Sequence, residues 1–516
     1  MTTLRKTLFA AGLLPVLPAG AQQLPNIVIL MTDQQRADIC GRAGFPLDVT
    51  PFADEMGAQG AWFSNAYTSA PASVPARTTM ATGRFPSATH VRSNHNVRDV
   101  YKETDLPAEL RDAGYQTALV GKNHCYLTPK DFDFWEEYGH WGKNVLITAR
   151  DSAFHHFLDQ DAKGQYLEPS PFGVEDQSPF REVSTALDWL GQVDRSRPFF
   201  LCISMAEPHN PYQVPEPYYS MFPPEKLPKA ASSRSDLQLK GSKFEQLARL
   251  EDESCRDLQR DLPRLKSNYL GMLRLIDDQQ RRLVEGLKEK GLYDNTVFLI
   301  IADHGDYFGE YGLIRKGAGV PESLIRIPMV WFGKGIKCSG RLPEYVSIAD
   351  VFPTLCAVAG RPLPRGVQGR NLLPLLEGRD VPEREFRSIV VEQGFGGEDM
   401  ADSTRTFEQE GALQKPEGKV AWFDELNSWT QSGARRAVVS DGWKLVLDSY
   451  GKGELYDLSA DPAELRNLYD DPSFTQRKTS LLEELGMWLI RLQDPLPVPR
   501  TRYKFTQHEN NYHFIK

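Results

Sequence analysis

The sequence predicts an α/β protein with a mainly parallel sheet between two layers of helices, followed by a smaller α+β region that carries an antiparallel sheet. Apolar, β-rich segments alternate with helical patterns as far as residue 332. Such alternation is typical of a parallel sheet covered on both faces. After about Gly369, short strand patterns with turn residues between them replace the alternation. We expect an N-terminal domain over residues 22–370 and a C-terminal subdomain over 371–516.

The first residues resemble an export signal. Arg5 and Lys6 precede a mostly apolar stretch at residues 8–17, and the small residues 19–21 offer a cleavage site before Gln22. A buried N-terminal helix is the alternative. No later stretch is apolar over the length that a membrane helix needs. The sequence therefore predicts a signal peptide over residues 1–21 and an exported protein, periplasmic or secreted, without a membrane span.

Composition excludes several classes of function. The 516 residues are 41% hydrophobic and 25% charged, which is ordinary for a soluble protein with a large core. The net charge of −9 argues against a general nucleic-acid binder, because a phosphate backbone needs a basic surface. The six cysteines form no C-x-x-C pair, so zinc ribbons and thioredoxin-like chemistry are unsupported. An anionic substrate would have to be attracted by local cations.

Four of the five buried strands predicted in the first domain end near polar residues. The strand at 25–31 leads to Asp33, and the strand at 117–120, which follows a helical pattern at 106–113, leads to Lys122 and His124. The strand at 199–205 leads to His209. The strand at 297–302, after a long helical pattern at 265–290, leads to Asp303 and His304, and a further strand is expected at 327–332. Sites in parallel sheets form beyond the carboxyl ends of strands, so we expect these side chains to converge.

The C-terminal part has a different pattern. Short strands are expected at residues 437–439, 443–447 and 454–458, and a helix at about 480–492. Two polar segments, 223–261 and 394–435, look like loops or insertions.

The segment S-V-P-A-R at residues 73–77 is a candidate nucleophile site. Pro75 suits the first turn of a helix, which places Ser73 at or just before a helix N-terminus. Free N–H groups and the helix dipole favour an anion there. Arg77 lies one turn further on and can return its guanidinium toward residue 73. On its own, the pattern is also compatible with a serine that only caps the helix.

The longer segment S-V-P-A-R-T-T-M-A-T-G-R at 73–84 resembles the signature of the type I sulfatases, which have the alkaline-phosphatase-like fold. In that family a Cys or Ser followed by x-P-x-R is oxidised to formylglycine (3-oxoalanine). The resemblance implies that one hydroxyl of the hydrated aldehyde attacks sulfur and that the other then expels sulfate. A serine at this position implies the radical-type, oxygen-independent sulfatase-maturating enzyme of bacteria as a partner.

The resemblance also implies a metal site. Asp33, Gln34, Asp303 and His304, together with residue 73, would hold one divalent cation, commonly calcium in this family. Many relatives have two consecutive aspartates where this chain has Asp33-Gln34. An amide oxygen can still ligate a hard cation, so Gln34 remains a candidate ligand. The loss of one carboxylate leaves the identity of the metal open.

The remaining site residues are carried over from matching motifs. In G-K-N-H at 121–124, Lys122 would contact sulfate and residue 73, and His124 would help to deprotonate the diol or the sulfated intermediate. In P-H-N-P-Y at 208–212, His209 would bind the substrate and protonate the leaving alkoxide. Lys316 corresponds to the second sulfate-binding lysine. Asn94 corresponds to a position that faces the reacting centre. Arg77, Lys122 and Lys316 would compensate the sulfate charge.

Three functions remain open. The first is a sulfatase that acts on a sulfated glycan, such as a glycosaminoglycan, a mucin or an algal carbohydrate. The second stays within the superfamily, as a phosphonate monoester or phosphodiester hydrolase or an N-sulfamidase, since some such enzymes share the Asp-Gln form. The third is a secreted glycan-binding protein with a dead site. Fold alone does not decide the substrate. The segments 223–261 and 394–435 match the family poorly and are natural places for walls specific to the substrate. Trp135, His140 and Trp141 could stack on sugar rings, although burial in the core is the more ordinary role for each of them.

Overall fold

The structure is a computed structural model that describes residues 24–139, 148–160, 164–255, 257–396, 399, 425–427 and 429–493. The expected signal peptide, His140 and Trp141 lie outside the described residues. Two sheets organise the chain. The described part contains no helix that combines the length and the apolar composition required to cross a membrane.

The larger sheet has eight strands in the order β4-β3-β5-β1-β6-β7-β2-β8. Their bounds are β1 Asn26–Asp33, β2 Ala61–Tyr67, β3 Gln116–Gly121, β4 Phe134–Glu137, β5 Phe199–Pro208, β6 Thr296–Ala302, β7 Met329–Gly333 and β8 Gly340–Ser347. Only β7 runs antiparallel to its neighbours, and every other pair is parallel. The predicted mainly parallel sheet is confirmed.

Helices cover both faces of this sheet and continue into the C-terminal part. Their bounds are α1 Pro51–Gln59, α2 Ser73–Thr82, α3 Pro86–Thr89, α4 Leu106–Asp112, α5 Ala149–Gln160, α6 Ser178–Leu190, α7 Tyr218–Met221, α8 Ser242–Ser254, α9 Leu258–Glu289, α10 Glu322–Ile325, α11 Val351–Val358, α12 Leu373–Leu376 and α13 Thr475–Leu492. The two faces of β1 explain this layering. Ile27, Ile29 and Met31 join the core that α2, α4 and α11 cover, whereas Val28 and Leu30 join the core under α1, α6 and α9. Because both faces of β1 are buried, its sequence is a continuous apolar run and not an alternation of apolar and polar residues.

The smaller sheet is antiparallel, as predicted, with four strands in the order β12-β11-β10-β9. Its strands are β9 Ser388–Gly396, β10 Gly433–Ser440, β11 Trp443–Asp448 and β12 Gly453–Asp457. Leu481, Leu485 and Trp488 of α13 pack on it. Strand β8 ends before residue 370 and β9 begins after it, but the domain boundary itself stays a prediction.

The expectation that residues 223–261 form loops is wrong for much of that segment. Helix α8 lies within it, and α9 begins there. Phe244, Leu247, Ala248 and Leu250 of α8 are buried, and they recur at helical spacing among charged residues. The high proportion of charged residues hid this amphipathic pattern. Of the other predicted insertion, residues 397–398, 400–424 and 428 lie outside the described part of the chain.

Candidate active site

Ser73 is the first residue of α2 and is fully buried. Its Oγ lies 3.0 Å from His304 Nε2 and 3.5 Å from Asp33 Oδ1. The N-cap of this helix is Ala72, and no side-chain cap bond is made there. The Ser73 hydroxyl therefore faces acidic and imidazole groups beyond the strand ends rather than the backbone of its own helix.

Asp33, Asp303 and His304 form a fully buried triad whose ligand atoms all lie within 4.8 Å of one another. Asp33 ends β1, and Asp303 follows β6, the parallel neighbour of β1. His304 Nδ1 lies 2.8 Å from the carbonyl oxygen of Gly305, which can only accept. In the neutral ring Nδ1 then carries the hydrogen and Nε2 presents its lone pair toward Ser73. Burial lowers the pKa of His304, which favours this neutral form.

Arg77 bridges the two aspartates. Its Nε donates to Asp303 Oδ2 at 2.9 Å, and Nη2 donates to Asp33 Oδ2 at 3.1 Å. Nη1 donates to Ser204 Oγ at 2.6 Å and to the Lys122 carbonyl at 3.2 Å. The sequence predicts that this guanidinium returns toward residue 73. Among the described residues, however, no hydrogen bond joins Arg77 to Ser73. The two carboxylates outcompete the hydroxyl because an arginine fork pairs best with carboxylate oxygens.

Lys122 follows β3 and places Nζ 2.6 Å from Asp33 Oδ2. Burial by itself would raise the pKa of Asp33, but the charges of Lys122 and Arg77 hold that pKa well below its usual range. Burial lowers the pKa of Lys122 to about 8, against the opposing effect of Asp33. Two cations thus balance two carboxylates beside Ser73. The contact of Lys122 with residue 73 stays a prediction.

Gln34 links the triad to Lys316. Its Oε1 accepts from Lys316 Nζ at 2.8 Å, and its Nε2 donates to Asp306 Oδ2 at 2.6 Å. Its backbone N–H donates to Asp303 Oδ1 at 3.0 Å. Both the oxygen and the nitrogen of the side-chain amide therefore have hydrogen-bond partners within the protein. The role of Gln34 as a metal ligand stays a prediction, and it would use the same amide oxygen that accepts from Lys316.

Asp306 belongs to the site although sequence analysis missed it. It is buried, and its Oδ2 also accepts from the Tyr212 hydroxyl at 2.8 Å. Burial raises the pKa of Asp306 to about 6. Asp306 thus joins Gln34 of the first motif to Tyr212 of the P-H-N-P-Y segment. Its position three residues after Asp303 was the signal that could have identified it.

The structure describes the remaining predicted site residues, Asn94, His209 and His124, by their own contacts and burial. Asn94 Oδ1 accepts from the backbone N–H of Val74 at 3.0 Å, in the first turn of α2. His209 is buried just after β5, where a positive charge on its ring would lower the pKa of Asp33. His209 Nδ1 lies 2.8 Å from the Asn210 carbonyl oxygen, so Nδ1 carries the hydrogen in the neutral ring. His124 is half-buried with φ of 42°, two residues after Lys122.

Comparison with known proteins assigns the architecture and the reaction class. The profile of the family described as Sulfatase matches residues 25–361. An arylsulfatase of Clostridium perfringens is 28% identical over 489 residues, which cover 88% of this chain and 92% of that protein. An ulvan-active sulfatase of Formosa agariphila is 25% identical, with 91% and 82% covered. The crystal structure of a phosphonate monoester hydrolase of Agrobacterium radiobacter superposes with a TM-score of 0.75 at 22% identity, and covers 93% of this chain and 100% of that one. That last likeness shows the fold alone.

Proposed function

The chain belongs to the sulfatase family and is a sulfate-ester hydrolase, and from this premise we propose that it removes sulfate from a sulfated carbohydrate through a formylglycine made from Ser73. The observation that carries the proposal is the position of the Ser73 hydroxyl. It lies 3.0 Å from His304 Nε2 and 3.5 Å from Asp33 Oδ1, in a buried centre. A serine that served only to cap α2 would bond to the backbone of its own helix instead.

Oxidation of Ser73 to formylglycine would supply the nucleophile of the proposed reaction. A serine hydroxyl is weak at neutral pH unless a base activates it. Formylglycine, once formed, supplies a hydrated aldehyde whose hydroxyl groups are the nucleophile and the means of releasing sulfate. Because the precursor is serine, we propose a radical-type maturating enzyme as the partner that oxidises it. A direct serine nucleophile with His304 as its base is the competing arrangement.

The triad fits a divalent cation. Asp33, Asp303 and His304 would hold it beside residue 73, with Gln34 as a further candidate ligand. Two carboxylates suit calcium, the metal that the family resemblance implies, whereas the imidazole nitrogen also suits manganese or zinc. We propose calcium. When bound, the cation offsets negative charge on the transferring sulfate group and lowers the pKa of the hydroxyl at residue 73.

The side chains around the triad have separate roles in the proposed reaction. Lys122 and Lys316 neutralise the sulfate oxygens, and Arg77 holds the aspartates in place. His209 delivers a proton to the leaving sugar oxygen, since an alkoxide leaves poorly without one. His124 accepts a proton from residue 73. Asn94 fixes the start of α2 through its bond to Val74, which keeps residue 73 aligned.

The proposal includes a carbohydrate substrate and export from the cytoplasm. A relative named for activity on ulvan covers 91% of this chain. The N-terminal pattern of basic, apolar and small residues supports export to the periplasm or beyond, where sulfated polysaccharides are met. Glycosaminoglycans, mucins and algal carbohydrates are the candidate classes.

The test is a comparison of ester classes with protein that has been co-expressed with a radical-type maturating enzyme. We expect release of inorganic sulfate from an aryl sulfate and from at least one sulfated saccharide of a broad panel, and no release by Ser73→Ala. A phosphonate monoester, an aryl phosphodiester and a sulfamate are assayed in parallel. The alternative rests on Gln34, which replaces a carboxylate and lowers the negative charge of the site. A higher kcat/KM for the phosphodiester, the phosphonate or the sulfamate than for every sulfate ester would favour that alternative.

A further inference from the structure

Glu425 brings a carboxylate from the C-terminal region to the proposed sulfate-binding lysine. Its Oε1 lies 3.6 Å from Lys316 Nζ. The Lys316 side chain is 1% exposed and that of Glu425 is 14% exposed, so the pair is largely shielded from water. The same Nζ donates to Gln34 Oε1 at 2.8 Å. A negative charge therefore stands beside the cation that would receive the anionic substrate.

The backbone around this pair is closely packed. A Cβ at Gly317 would lie 2.8 Å from the Glu425 carbonyl oxygen, so only glycine allows this approach. The Gln393 and Gln431 side-chain amides both donate to the Gly317 carbonyl, at 3.0 and 3.5 Å. Thr430 Oγ1 donates to the Glu425 carbonyl at 2.7 Å. Contacts on both sides thus hold Glu425 against the segment that carries Lys316.

Arg315 is the second cation that Glu425 affects. Burial would lower the pKa of Arg315, and the Glu425 carboxylate is the leading charge that raises it. Glu251 also faces Arg315, but burial raises the pKa of Glu251 well above its usual range and favours its neutral form. Among the described residues, Glu425 thus places one carboxylate beside Lys316 and also acts on Arg315.

We infer that Glu425 selects substrates by charge, and that it disfavours esters with a second anionic group beside the scissile sulfate. The scissile group itself is a monoanion that Lys122 and Lys316 can neutralise. A neighbouring sulfate or carboxylate would meet the Glu425 charge across a poorly hydrated space, where repulsion is strong. A neutral or cationic neighbour would not. The inference rests on the proposed function, because it takes Lys316 as a sulfate-binding residue.

The test compares Glu425→Gln with the unaltered protein, both matured, on three aryl sulfates. The esters differ only at the end of a methylene arm meta to the ester oxygen, which carries a trimethylammonium, hydroxyl or carboxylate group. Glu425→Gln is expected to raise the kcat/KM of the carboxylate ester relative to the hydroxyl ester about tenfold at low ionic strength. Glu425→Asp, which keeps the charge, should preserve the original order. Glu245→Gln, an exposed carboxylate on α8, is the matched control and should change nothing.

The outcomes separate the inference from the function on which it rests. An unchanged ratio in Glu425→Gln would overturn the inference and leave the proposed function standing. An equal fall in kcat/KM for all three esters would also overturn it, because that result marks a merely structural role for Glu425. Failure of the matured, unaltered protein to cleave any of the three would overturn the proposed function and the inference together.

Discussion

At the scale of single residues, Arg77 organises the centre. Its guanidinium contacts groups at the carboxyl ends of three neighbouring strands, through Asp33, Ser204 and Asp303. One planar fork with several donors can make these bonds at once, whereas an ammonium group acts as a point charge. The arginine of the S-x-P-x-R pattern is thus explained by the two carboxylates that it bridges.

Replacement of Arg77 by lysine should therefore be far from conservative. We expect Arg77→Lys to lower kcat/KM for an aryl sulfate by about 100-fold or more, because Asp33 and Asp303 lose a shared partner in a buried site. Steady-state kinetics on matured protein measure this change. Arg477→Lys, at an exposed ion pair with Asp441, is the control and should retain full activity. A loss of less than threefold in Arg77→Lys would contradict this account of the site.

The sequence predicts the residues of the site better than it predicts their contacts. The ends of the predicted strands indicate that Asp33, Asp303 and His304 converge, and the family resemblance implies that they are metal ligands; the structure brings the three together. Asp306 and Glu425 were not foreseen. Their importance comes from contacts with Gln34 and Lys316 across more than a hundred residues of sequence, which no local pattern encodes.

At the scale of elements, the end of β3 depends on a glycine. Gly121 has φ of 106°, and a Cβ there would lie 2.3 Å from the Ser204 carbonyl oxygen of β5. That same oxygen accepts from the Lys122 backbone N–H at 2.6 Å. The close approach of the two strands therefore sets the position of Lys122.

We expect Gly121→Ala to destabilise the protein and to displace Lys122. Gly114 offers a matched control, since it has φ of 90° but nothing within 4 Å of its Cβ position. Gly114→Ala should cost about 1–2 kcal/mol from backbone strain alone. Gly121→Ala should cost clearly more and also lower kcat/KM, as measured by urea unfolding and by kinetics. Equal losses of stability in the two variants would show that the contact with Ser204 is unimportant.

The central strands β1 and β6 of the larger sheet are predictable from the sequence, whereas its edge strands β4 and β8 are not. β1 and β6 are apolar throughout because both faces of each are buried. β8 alternates between partly buried and exposed residues at the edge of the sheet, and β4 has only four half-buried residues, so neither gives a strong apolar run. The antiparallel direction of β7 is a matter of topology, which its composition does not encode.

At the scale of the whole molecule, an acidic protein concentrates cations where an anion must bind. The chain carries a net charge of −9, yet Arg77, Lys122 and Lys316 are all buried around one centre. Arg77 and Lys122 are balanced by Asp33 and Asp303, and Lys316 by the C-terminal region through Glu425. Composition could exclude nucleic acid as a general partner, but this local balance emerges only when the strand ends and the C-terminal region are brought together.

The central claim is that Ser73 becomes formylglycine, and mass spectrometry of the tryptic peptide that spans residues 43–77 tests it most directly. Protein isolated from its native host, or co-expressed with a radical-type maturating enzyme, should yield this peptide two hydrogen atoms lighter than the serine form. The modified fraction should rise in proportion to sulfatase activity across preparations. A fully active preparation in which residue 73 is entirely unmodified serine would contradict the account, and would point instead to a serine activated directly by His304.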